Sequence, residues 1–327
     1  MMEELVACHN VKKYYAVSTG LFSRKKAYLK AVDNVSLKIN KGEVLGLVGE
    51  SGSGKTTLGL ILSGLINPSE GEVFFEGKNI FQLSPTELRT IRKKIQIIFQ
   101  DPFSSLNPRM TVGEIISEPI ITHERLDSTE ALNKSAELLE IVGLKSDDIY
   151  KYPHEFSGGQ AQRIAIARAL SIKPSFIVAD EPVSSLDVSV RAQILNLLKD
   201  LQIRFGLTYL FISHDLSVVR HISNRIGVMY LGKIVEIADK KSLFDSPIHP
   251  YTQALLSAAP IPDPSVRDKK IKMLLKGEIP SPLKPPEGCR FHPRCPYFRG
   301  DECKKEQPLI KVDTEHYVAC ILADNRH

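Results

Sequence analysis

The strongest constraint on the fold is one eight-residue stretch, Gly49-Glu50-Ser51-Gly52-Ser53-Gly54-Lys55-Thr56. It matches G-x-x-x-x-G-K-[ST], the P-loop, whose backbone N–H groups surround the phosphates of a nucleotide. The apolar residues 44–48 before it predict a buried strand. A helical apolar stripe follows it, made of Leu58, Ile61, Leu62 and Leu65. This order of strand, loop and helix predicts a nucleotide-binding α/β sheet.

The chemistry of the loop gives each residue type a role. Its glycines let successive N–H groups turn inward, and the following helix directs its positive end at the same point. Lys55 is predicted to place a charge at the β- and γ-phosphates, and the Thr56 hydroxyl to bind Mg²⁺. A chance match in a Gly/Ser-rich turn is the weaker interpretation, because both flanking patterns agree with a P-loop. The predicted ATP contacts also include Gly49, Glu50, Ser51, Gly52, Ser53, Gly54 and Thr57.

Length and composition describe an ordinary soluble protein. The 327 residues suit two domains, or one of about 230 residues with an appendage. No run approaches the roughly 18 apolar residues of a membrane-spanning helix, and Met1-Met2-Glu3-Glu4 lacks the pattern of a signal peptide. We therefore expect a cytosolic protein, in which stable disulfides are rare.

The net charge of +5 is small for a nucleic-acid-binding protein. Basic clusters occur at residues 24–26 and at Lys269-Lys270, without a recognition motif beside them. We expect these clusters to be solvated surface, and we predict no nucleic-acid partner.

The residues around the P-loop helix predict a second, antiparallel sheet at the edge of the fold. Residues 5–43 alternate apolar and polar positions, and residues 71–81 again read as strands. Ser84-Pro85-Thr86-Glu87 is a capping box with proline at the first helical position, so a helix should begin there. A strand over residues 95–99 ends at Gln100, a position suited to a ligand for Mg²⁺ or water.

Residues 101–154 have a different character, with prolines at 102, 108 and 119 and a helical pattern over 132–142. They predict a helical insertion between two strands of the nucleotide-binding sheet. Ser157-Gly158-Gly159-Gln160 comes next, directly before a helical run. This predicts a second anion-binding helix terminus. One ATP site does not need two such termini from the same subunit, so the second should face the ATP of another subunit.

Two acids close the next predicted buried strand, residues 176–181. Asp180 is predicted to hold Mg²⁺ through water, and Glu181 to orient and polarise the attacking water. The alternative, acids at a strand end by chance, is disfavoured by the P-loop upstream. His214 follows a further β-rich run, residues 207–212, and should lie at the same carboxyl edge, where open α/β sheets bind ligands.

Taken together, residues 5–240 resemble the ATP-binding-cassette (ABC) family. The matching motifs are Walker A at 49–56, the Q-loop at Gln100, the signature at Ser157–Gln160, Walker B at 176–180, the D-loop at 185–187 with Asp187, and the H-loop at His214. Phe156 and Ala161 depart from the usual Leu and frequent Arg, but both flank the phosphate-contacting positions.

The resemblance implies a P-loop NTPase fold with an antiparallel edge sheet, a helical subdomain and a small C-terminal appendage. It implies Mg²⁺-dependent ATP hydrolysis with Lys55, Gln100, Glu181 and His214 as the catalytic residues. It also implies a head-to-tail dimer in which the signature of one cassette, through Ser157 and Gly159, completes the other's site. It further implies that the Tyr15 ring stacks on the adenine of ATP. The local sequence pattern alone is equally consistent with an ordinary tyrosine on an edge strand.

Several segments look more narrowly like the dipeptide/oligopeptide importer branch. They are residues 100–113, His249-Pro250-Tyr251-Thr252 and residues 277–282. Two segments look more specifically like the F-type ATPase subunit of that branch, residues 106–110 and the insert after Tyr15. The branch implies a paralogous ATPase subunit, two membrane-spanning permease subunits and an extracytoplasmic peptide-binding protein. The predicted function is ATP hydrolysis that energises di- or oligopeptide import, at the cytoplasmic face of the membrane.

Two other functions stay open at this point. The same branch could carry nickel or another solute. A soluble cassette ATPase acting on nucleic acid or ribosomes is disfavoured, because such proteins carry tandem cassettes or coiled-coil insertions and this chain has one cassette and no heptads.

Past about residue 239 the chain becomes proline-rich and polar. We expect a boundary here, with a nucleotide-binding domain at 1–240, its helical subdomain at about 101–165, and an extended C-terminal extension at 241–327 with little core of its own. The extension contains four cysteines, Cys289, Cys295, Cys303 and Cys320, while Cys8 lies far away and reads as a buried structural thiol.

Four cysteines in a cytosolic segment poor in apolar residues suggest a metal site. Intervals of five, seven and sixteen residues separate them, unlike the paired C-x₂₋₄-C knuckles of zinc ribbons. Wide, irregular spacing favours a [4Fe–4S] cluster, because each thiolate holds a separate corner. The branch resemblance agrees. Zinc and the absence of metal remain alternatives, and His292 could replace one cysteine.

Overall fold

The computed structural model describes residues 3–18, 26–124, 126–258 and 277–326. The chain divides into two compact units. The first contains Met1–Leu5, Ile39–Glu43 and Phe75–Ile212, and the second contains Val6–Lys38, Val44–Phe74 and Ser213–His327. The basic residues 24, 25, 269 and 270 lie outside the described residues, as does most of the insert after Tyr15.

The described strands are β1 (Glu4–Ser18), β2 (Lys26–Asn40), β3 (Val44–Val48), β4 (Glu70–Phe75), β5 (Lys78–Asn79), β6 (Ile95–Ile98), β7 (Phe176–Asp180), β8 (Thr208–Ser213), β9 (Arg225–Tyr230), β10 (Lys233–Asp239), β11 (Ile310–Asp313) and β12 (His316–Val318). The described α-helices are α1 (Lys55–Leu62), α2 (Pro85–Lys94), α3 (Pro102–Ser105), α4 (Val112–Glu124), α5 (Ser128–Ile141), α6 (Gly158–Leu170), α7 (Val188–Phe205), α8 (Leu216–Ile222), α9 (Lys240–Asp245), α10 (Pro250–Ala258) and α11 (Asp301–Lys304).

In the first unit, β7 lies between β6 and β8 and is parallel to both, with Val178 paired to Ile97 and to Leu210. Every residue of β7 and β8 is buried. Continuous apolar runs of this kind are typical of parallel strands covered on both faces. Helices α3 to α6 lie between β6 and β7 in the chain, together with 3₁₀ turns at Ser146–Tyr150 and Pro153–Glu155.

In the second unit, five strands follow one another in the order β11-β12-β10-β9-β3. Strands β3 and β9 are parallel, and the pairs of β9 with β10, β10 with β12 and β11 with β12 are antiparallel. A separate sheet contains β2, β1 and β4 in that order, which agrees with the strands predicted for residues 5–43 and 71–81. All five residues of β3, directly before the P-loop, are buried.

The helix after the P-loop is shorter than the apolar pattern predicts. Helix α1 ends at Leu62, and Gly64 has a left-handed φ of 71°. Leu58, Ile61 and Leu62 are buried as predicted, but Leu65 is 54% exposed. The inclusion of Leu65 in the helical stripe was wrong, because the glycine turns the chain away before that position.

The C-terminal extension has more structure than its composition predicts. It supplies strands β11 and β12, which continue the sheet beyond β10. A small core contains Ile248, Val318 and Ala323. The Phe291 ring is fully buried and packs 5.4 Å from the rings of Tyr230 and of Tyr251. Within the described residues, no helix combines the length and the apolar character needed to cross a bilayer.

Candidate functional site

The P-loop follows directly from β3 and ends at the first turn of α1. Gly54 is the residue before the helix, with a left-handed φ of 103°, and a Cβ there would collide with the carbonyl oxygen of Ala31. Glycine is therefore required at this position. The first turn of α1 has no acidic residue, so the positive end of the helix is not neutralised from within.

Lys55 is buried inside the loop, with 5% of its surface exposed. Its ammonium donates hydrogen bonds to the carbonyl oxygens of Gly49 at 2.8 Å and Glu50 at 2.9 Å, and to Ser53 Oγ at 3.3 Å. Around it, Ser51, Gly52 and Thr56 are exposed and Thr57 is half-buried. The fixed Lys55 ammonium, the Thr56 hydroxyl and the positive end of α1 together form an arrangement suited to binding a nucleotide phosphate with Mg²⁺.

In the first unit, Gln100 and Asp180 line one cavity of about 470 Å³ together with Phe99, Asp101, Ser104 and Ser105. Asp180 is the buried last residue of β7, and Gln100 follows β6. Because β6 and β7 are parallel neighbours, their carboxyl ends meet at one edge, which brings two of the three predicted Mg²⁺ ligands together. Carboxylate and amide oxygens are the ligands that Mg²⁺ prefers.

Glu181 adopts a backbone conformation that is unusual for a residue with a side chain, with φ of 46°. Its N–H donates to the carbonyl oxygen of Ile212 at the end of β8, and its own carbonyl accepts from the Ser184 amide and hydroxyl. Such conformations persist only where the surrounding structure imposes them, and they concentrate at functional sites. The exposed Asp187 is the residue before α7.

The signature residues open helix α6 as a complete capping box. Ser157 Oγ accepts from the Gln160 amide at 3.4 Å, and Gln160 Oε1 accepts from the Ser157 amide at 2.9 Å. Ser157 and Gln160 are exposed, Gly158 is half-buried and Gly159 is buried. The first turn of α6 has no acidic residue. This is an accessible helix terminus suited to an anion from another molecule.

The remaining predicted residues lie in the second unit. His214 is exposed directly after β8, and the next residue, Asp215, caps α8 by accepting from the Ser217 amide. The Tyr15 side chain is 41% exposed, with Lys13 Nζ 5.3 Å from its ring centroid. An exposed ring of this kind is available for stacking.

The four cysteines of the extension converge on one cavity, which His249, Phe291 and His292 also line. The Cys289 amide donates to the Cys303 carbonyl at 3.0 Å, which joins two of the four positions directly. All four thiols are free. The buried Cys8 is separate, and its Sγ donates to the Val35 carbonyl, as a structural thiol would.

Burial, with a smaller contribution from the neighbouring cysteines, raises the pKa of the Cys289 thiol to about 11 and that of Cys320 to about 12. Burial likewise raises the pKa of Cys295. Grouped thiols of this kind stay protonated without a metal, whereas a bound cation stabilises the thiolates. Among the described residues, no group of three or more His, Cys, Asp or Glu side chains is arranged to hold a metal ion.

Sequence reasoning missed two arginines of the extension. Arg294 contacts the Glu50 carboxylate of the P-loop at 3.0 Å, and Arg290 pairs with Asp33. No local pattern marks either arginine, since 244 residues separate Arg294 from Glu50 and 257 separate Arg290 from Asp33.

Comparison with known proteins agrees with this geometry. A family model described as ABC transporter matches residues 32–184. A second model, described as the C-terminal region of oligopeptide/dipeptide transporters, matches residues 235–303. The second match covers the extension up to Cys303.

Relatives of similar length match the whole chain. It is 53% identical over 322 residues to the oligopeptide transport ATP-binding protein AppF of Bacillus subtilis (strain 168), covering 98% of each chain. It is 48% identical to the oligopeptide transport ATP-binding protein OppF of Escherichia coli (strain K12), covering 98% of this chain and 96% of that protein.

Among solved structures, one described as a dimeric post-hydrolysis state of the ATP-binding cassette MJ0796 bound to ADP and Pi superposes with a TM-score of 0.64. The two chains are 33% identical, and the match covers 72% of this chain and 99% of that one. The chain therefore belongs to the ABC transporter family, as an ATP-hydrolysing cassette of the oligopeptide transport group.

Proposed function

We propose that this chain hydrolyses ATP to drive the import of di- or oligopeptides through a membrane permease. The observation that carries the proposal is similarity along 98% of the chain to the oligopeptide transport ATP-binding protein AppF. The separate match of the extension to the C-terminal region of oligopeptide/dipeptide transporters supports the same substrate class.

In this proposal, residues 1–240 are the nucleotide-binding domain, with a helical subdomain at about 101–165, and residues 241–327 are the extension. The partners are a paralogous ATPase subunit, two permease subunits and, indirectly, an extracytoplasmic peptide-binding protein. The chain is attached peripherally at the cytoplasmic face of the membrane.

Catalysis in the proposed site is mainly positioning and charge neutralisation of a phosphoryl transfer to water. Bound Mg²⁺ would neutralise phosphate oxygens, and Thr56, Gln100 and Asp180 would hold it. Lys55 and His214 would stabilise charge on the γ-phosphate, and Glu181 would orient and polarise the attacking water. The other residues of Walker A and Tyr15 would bind ATP.

A second cassette would complete the site through its signature. Ser157, Gly158, Gly159 and Gln160 at the exposed terminus of α6 would contact the γ-phosphate bound by the partner, and Asp187 would lie at the contact between the two cassettes. The capping box supports this role, because it fixes a helix terminus at which the Ser157 and Gln160 side chains are exposed.

Uptake measurements in cells test the transport proposal. We expect Glu181→Gln to abolish uptake of labelled peptides and to leave nickel uptake unchanged, with Glu140→Gln on the exposed face of α5 as the control. The tagged chain should also bring down two hydrophobic subunits from detergent-solubilised membranes. Loss of nickel uptake with intact peptide uptake would identify the nickel importer instead. Isolation with nucleic acid or ribosomes and without hydrophobic subunits would identify a soluble ATPase.

We further propose that Cys289, Cys295, Cys303 and Cys320 hold a [4Fe–4S] cluster with a structural role. Their convergence on one cavity supports the proposal, because four separated thiolates can each bind one corner of a cluster.

The metal is tested by anaerobic purification, visible absorption and analysis of iron, sulfide and zinc. We expect a brown protein with about four iron atoms and four sulfides per chain. Cys295→Ser should lower the iron content, and the control Cys8→Ser should leave it unchanged. One zinc per chain would show that the cluster assignment is wrong, and a chain without either metal would overturn the proposed metal site.

A further inference from the structure

The segment from Cys289 to Cys295 carries two arginines that are almost completely buried. The Arg290 side chain is 5% exposed and the Arg294 side chain is 8% exposed. Buried guanidinium groups require partners, and both find them within the second unit, Arg294 at the P-loop itself. Arg290 donates to Asp33 and to the Leu231 carbonyl, and Arg294 donates to Glu50.

Arg294 holds the Glu50 side chain through both of its terminal nitrogens. Nη1 lies 3.0 Å from Oε2 and 3.3 Å from Oε1, and Nη2 lies 3.3 Å from Oε1. Nη1 also donates to the Tyr230 hydroxyl at 3.3 Å, and the guanidinium lies 6.0 Å from the Phe291 ring centroid. A two-nitrogen contact of this kind fixes orientation as well as distance.

Further hydrogen bonds hold the backbone of the same loop. The Glu50 amide donates to the Tyr251 hydroxyl at 2.8 Å. The Gly232 amide donates to the Ser53 carbonyl at 2.8 Å, and Arg290 in turn binds the neighbouring Leu231 carbonyl. The loop is thus attached at Glu50 and at Ser53.

The electrostatics of the loop explain why this attachment matters for ATP. Glu50 is a carboxylate within a loop that binds a polyphosphate, so an unpaired Glu50 would repel the ligand. Arg294 compensates that charge. It also holds the loop in one conformation before ATP binds, which reduces the entropy that binding must remove.

We propose that Arg294 is a positioning residue for ATP, which fixes the P-loop through Glu50, and that the Cys289–Cys295 segment is a clamp on the nucleotide site. The clamp itself requires only the folded chain. Control of the clamp by metal in the cysteine cavity rests on the proposed function, because the two cysteines that bracket the segment are proposed ligands.

The test compares ATP affinity and turnover in the full-length chain. Arg294→Gln should raise the ATP Kd about tenfold, the scale of one lost charge-assisted hydrogen bond, with kcat at saturating ATP within about twofold of wild type. Arg294→Lys keeps the positive charge but loses the two-nitrogen contact of the guanidinium. Its ATP Kd should therefore lie between the values of wild type and Arg294→Gln. Arg299→Gln, at an exposed arginine of the same extension, should leave Kd unchanged.

A double-mutant cycle separates this role from general stabilisation. In a Glu50→Gln background, adding Arg294→Gln should change Kd by less than about threefold, because the partner charge is already absent. An unchanged Kd for Arg294→Gln, or the same tenfold change in both backgrounds, would overturn the proposal. If Arg294→Gln does not fold, the cycle is run with Arg294→Lys and read in the same way.

Iron content, measured on every variant, keeps the two proposals apart. A tenfold rise in Kd with wild-type iron content supports the clamp directly. A rise in Kd that appears only in proportion to lost iron would overturn Arg294 as the positioning residue. If the wild-type chain contains no iron, the cluster proposal fails, and the Kd cycle still decides the clamp.

Discussion

Neighbouring acids at the end of β7 have different environments, and the difference fits different roles. Asp180 is a buried member of the strand and lines a cavity with Gln100. Glu181 leaves the strand in a left-handed conformation and is half-buried. The first arrangement suits a fixed metal ligand, and the second suits a carboxylate that meets water at the surface of the site.

The proposed role of Glu181 predicts a separation of ATP binding from turnover. Glu181→Gln should keep the ATP Kd near the wild-type value and lower kcat by about 10²-fold or more, the scale of general-base contributions. Equilibrium binding and phosphate release measure the two quantities. Wild-type turnover in this variant would show that the water is activated elsewhere, and Glu140→Gln controls for removing a carboxylate from the surface.

Asp33 is a carboxyl group whose ionisation depends on its hydrogen-bond and ion-pair partners. Burial alone would raise its pKa, but the Tyr14 hydrogen bond and the Arg290 charge outweigh burial and hold the pKa below the ordinary value of 3.8. A carboxyl with a depressed folded pKa stabilises the fold above its unfolded pKa. That stability is lost as the pH falls through the folded pKa.

We therefore expect the protonation of Asp33 to account for part of the loss of folding stability at low pH. Between about pH 6 and about pH 3, the free energy of unfolding should fall less steeply in Asp33→Asn than in wild type. Denaturant unfolding at each pH measures this slope. Asp245→Asn, at an exposed aspartate, should follow wild type, and an unchanged slope in Asp33→Asn would contradict the assignment.

At the scale of elements, two helices begin with the same chemistry. Helices α2 and α6 each have a serine cap and a return hydrogen bond from the third helical residue, through Ser84 with Glu87 and Ser157 with Gln160. The first cap has no proposed ligand, whereas the second is proposed to contact ATP. They form a matched pair for separating stability from function.

Serine-to-alanine substitution at either cap should lower the free energy of unfolding by about 1 kcal/mol. Only Ser157→Ala should also lower ATP turnover, by roughly tenfold, because it alone removes a proposed phosphate contact. Denaturant unfolding and ATPase rates on both variants measure this contrast. Equal losses of activity in Ser84→Ala and Ser157→Ala would show that the signature acts through helix stability alone.

At the scale of the whole molecule, the proposed use of the signature requires a second cassette. Slow ATP hydrolysis should trap the ATP-bound dimer. With ATP, the Glu181→Gln variant is therefore expected to have the mass of two cassettes, either as two copies of this chain or paired with its paralogous subunit. Light scattering with and without ATP measures the mass. The double variant Glu181→Gln/Ser157→Ala should stay at the mass of one chain, and ATP-independent pairing would contradict a dimer held together by nucleotide.

The sequence predicted those parts of the site that are built from neighbouring residues. The P-loop between β3 and α1, the caps at Ser84 and Ser157, and the buried strands before Asp180 and His214 depend on local periodicity and hydrogen bonding. Local geometry limited even these predictions. The helix after the P-loop stops early at Gly64, because a left-handed residue ends it despite an apolar pattern that continues to Leu65.

By itself, therefore, the sequence determined that the chain is a cassette with a nucleotide loop, two capped helix termini and acids at strand ends. The sequence also suggested one metal site for the four dispersed cysteines, but only the tertiary structure placed them around one cavity and showed that Arg294 reaches Glu50 across 244 residues. The physical reason is distance along the chain. Periodicity and capping act within a few residues, whereas a buried ion pair or a shared cavity exists only after the sheet has brought remote segments together.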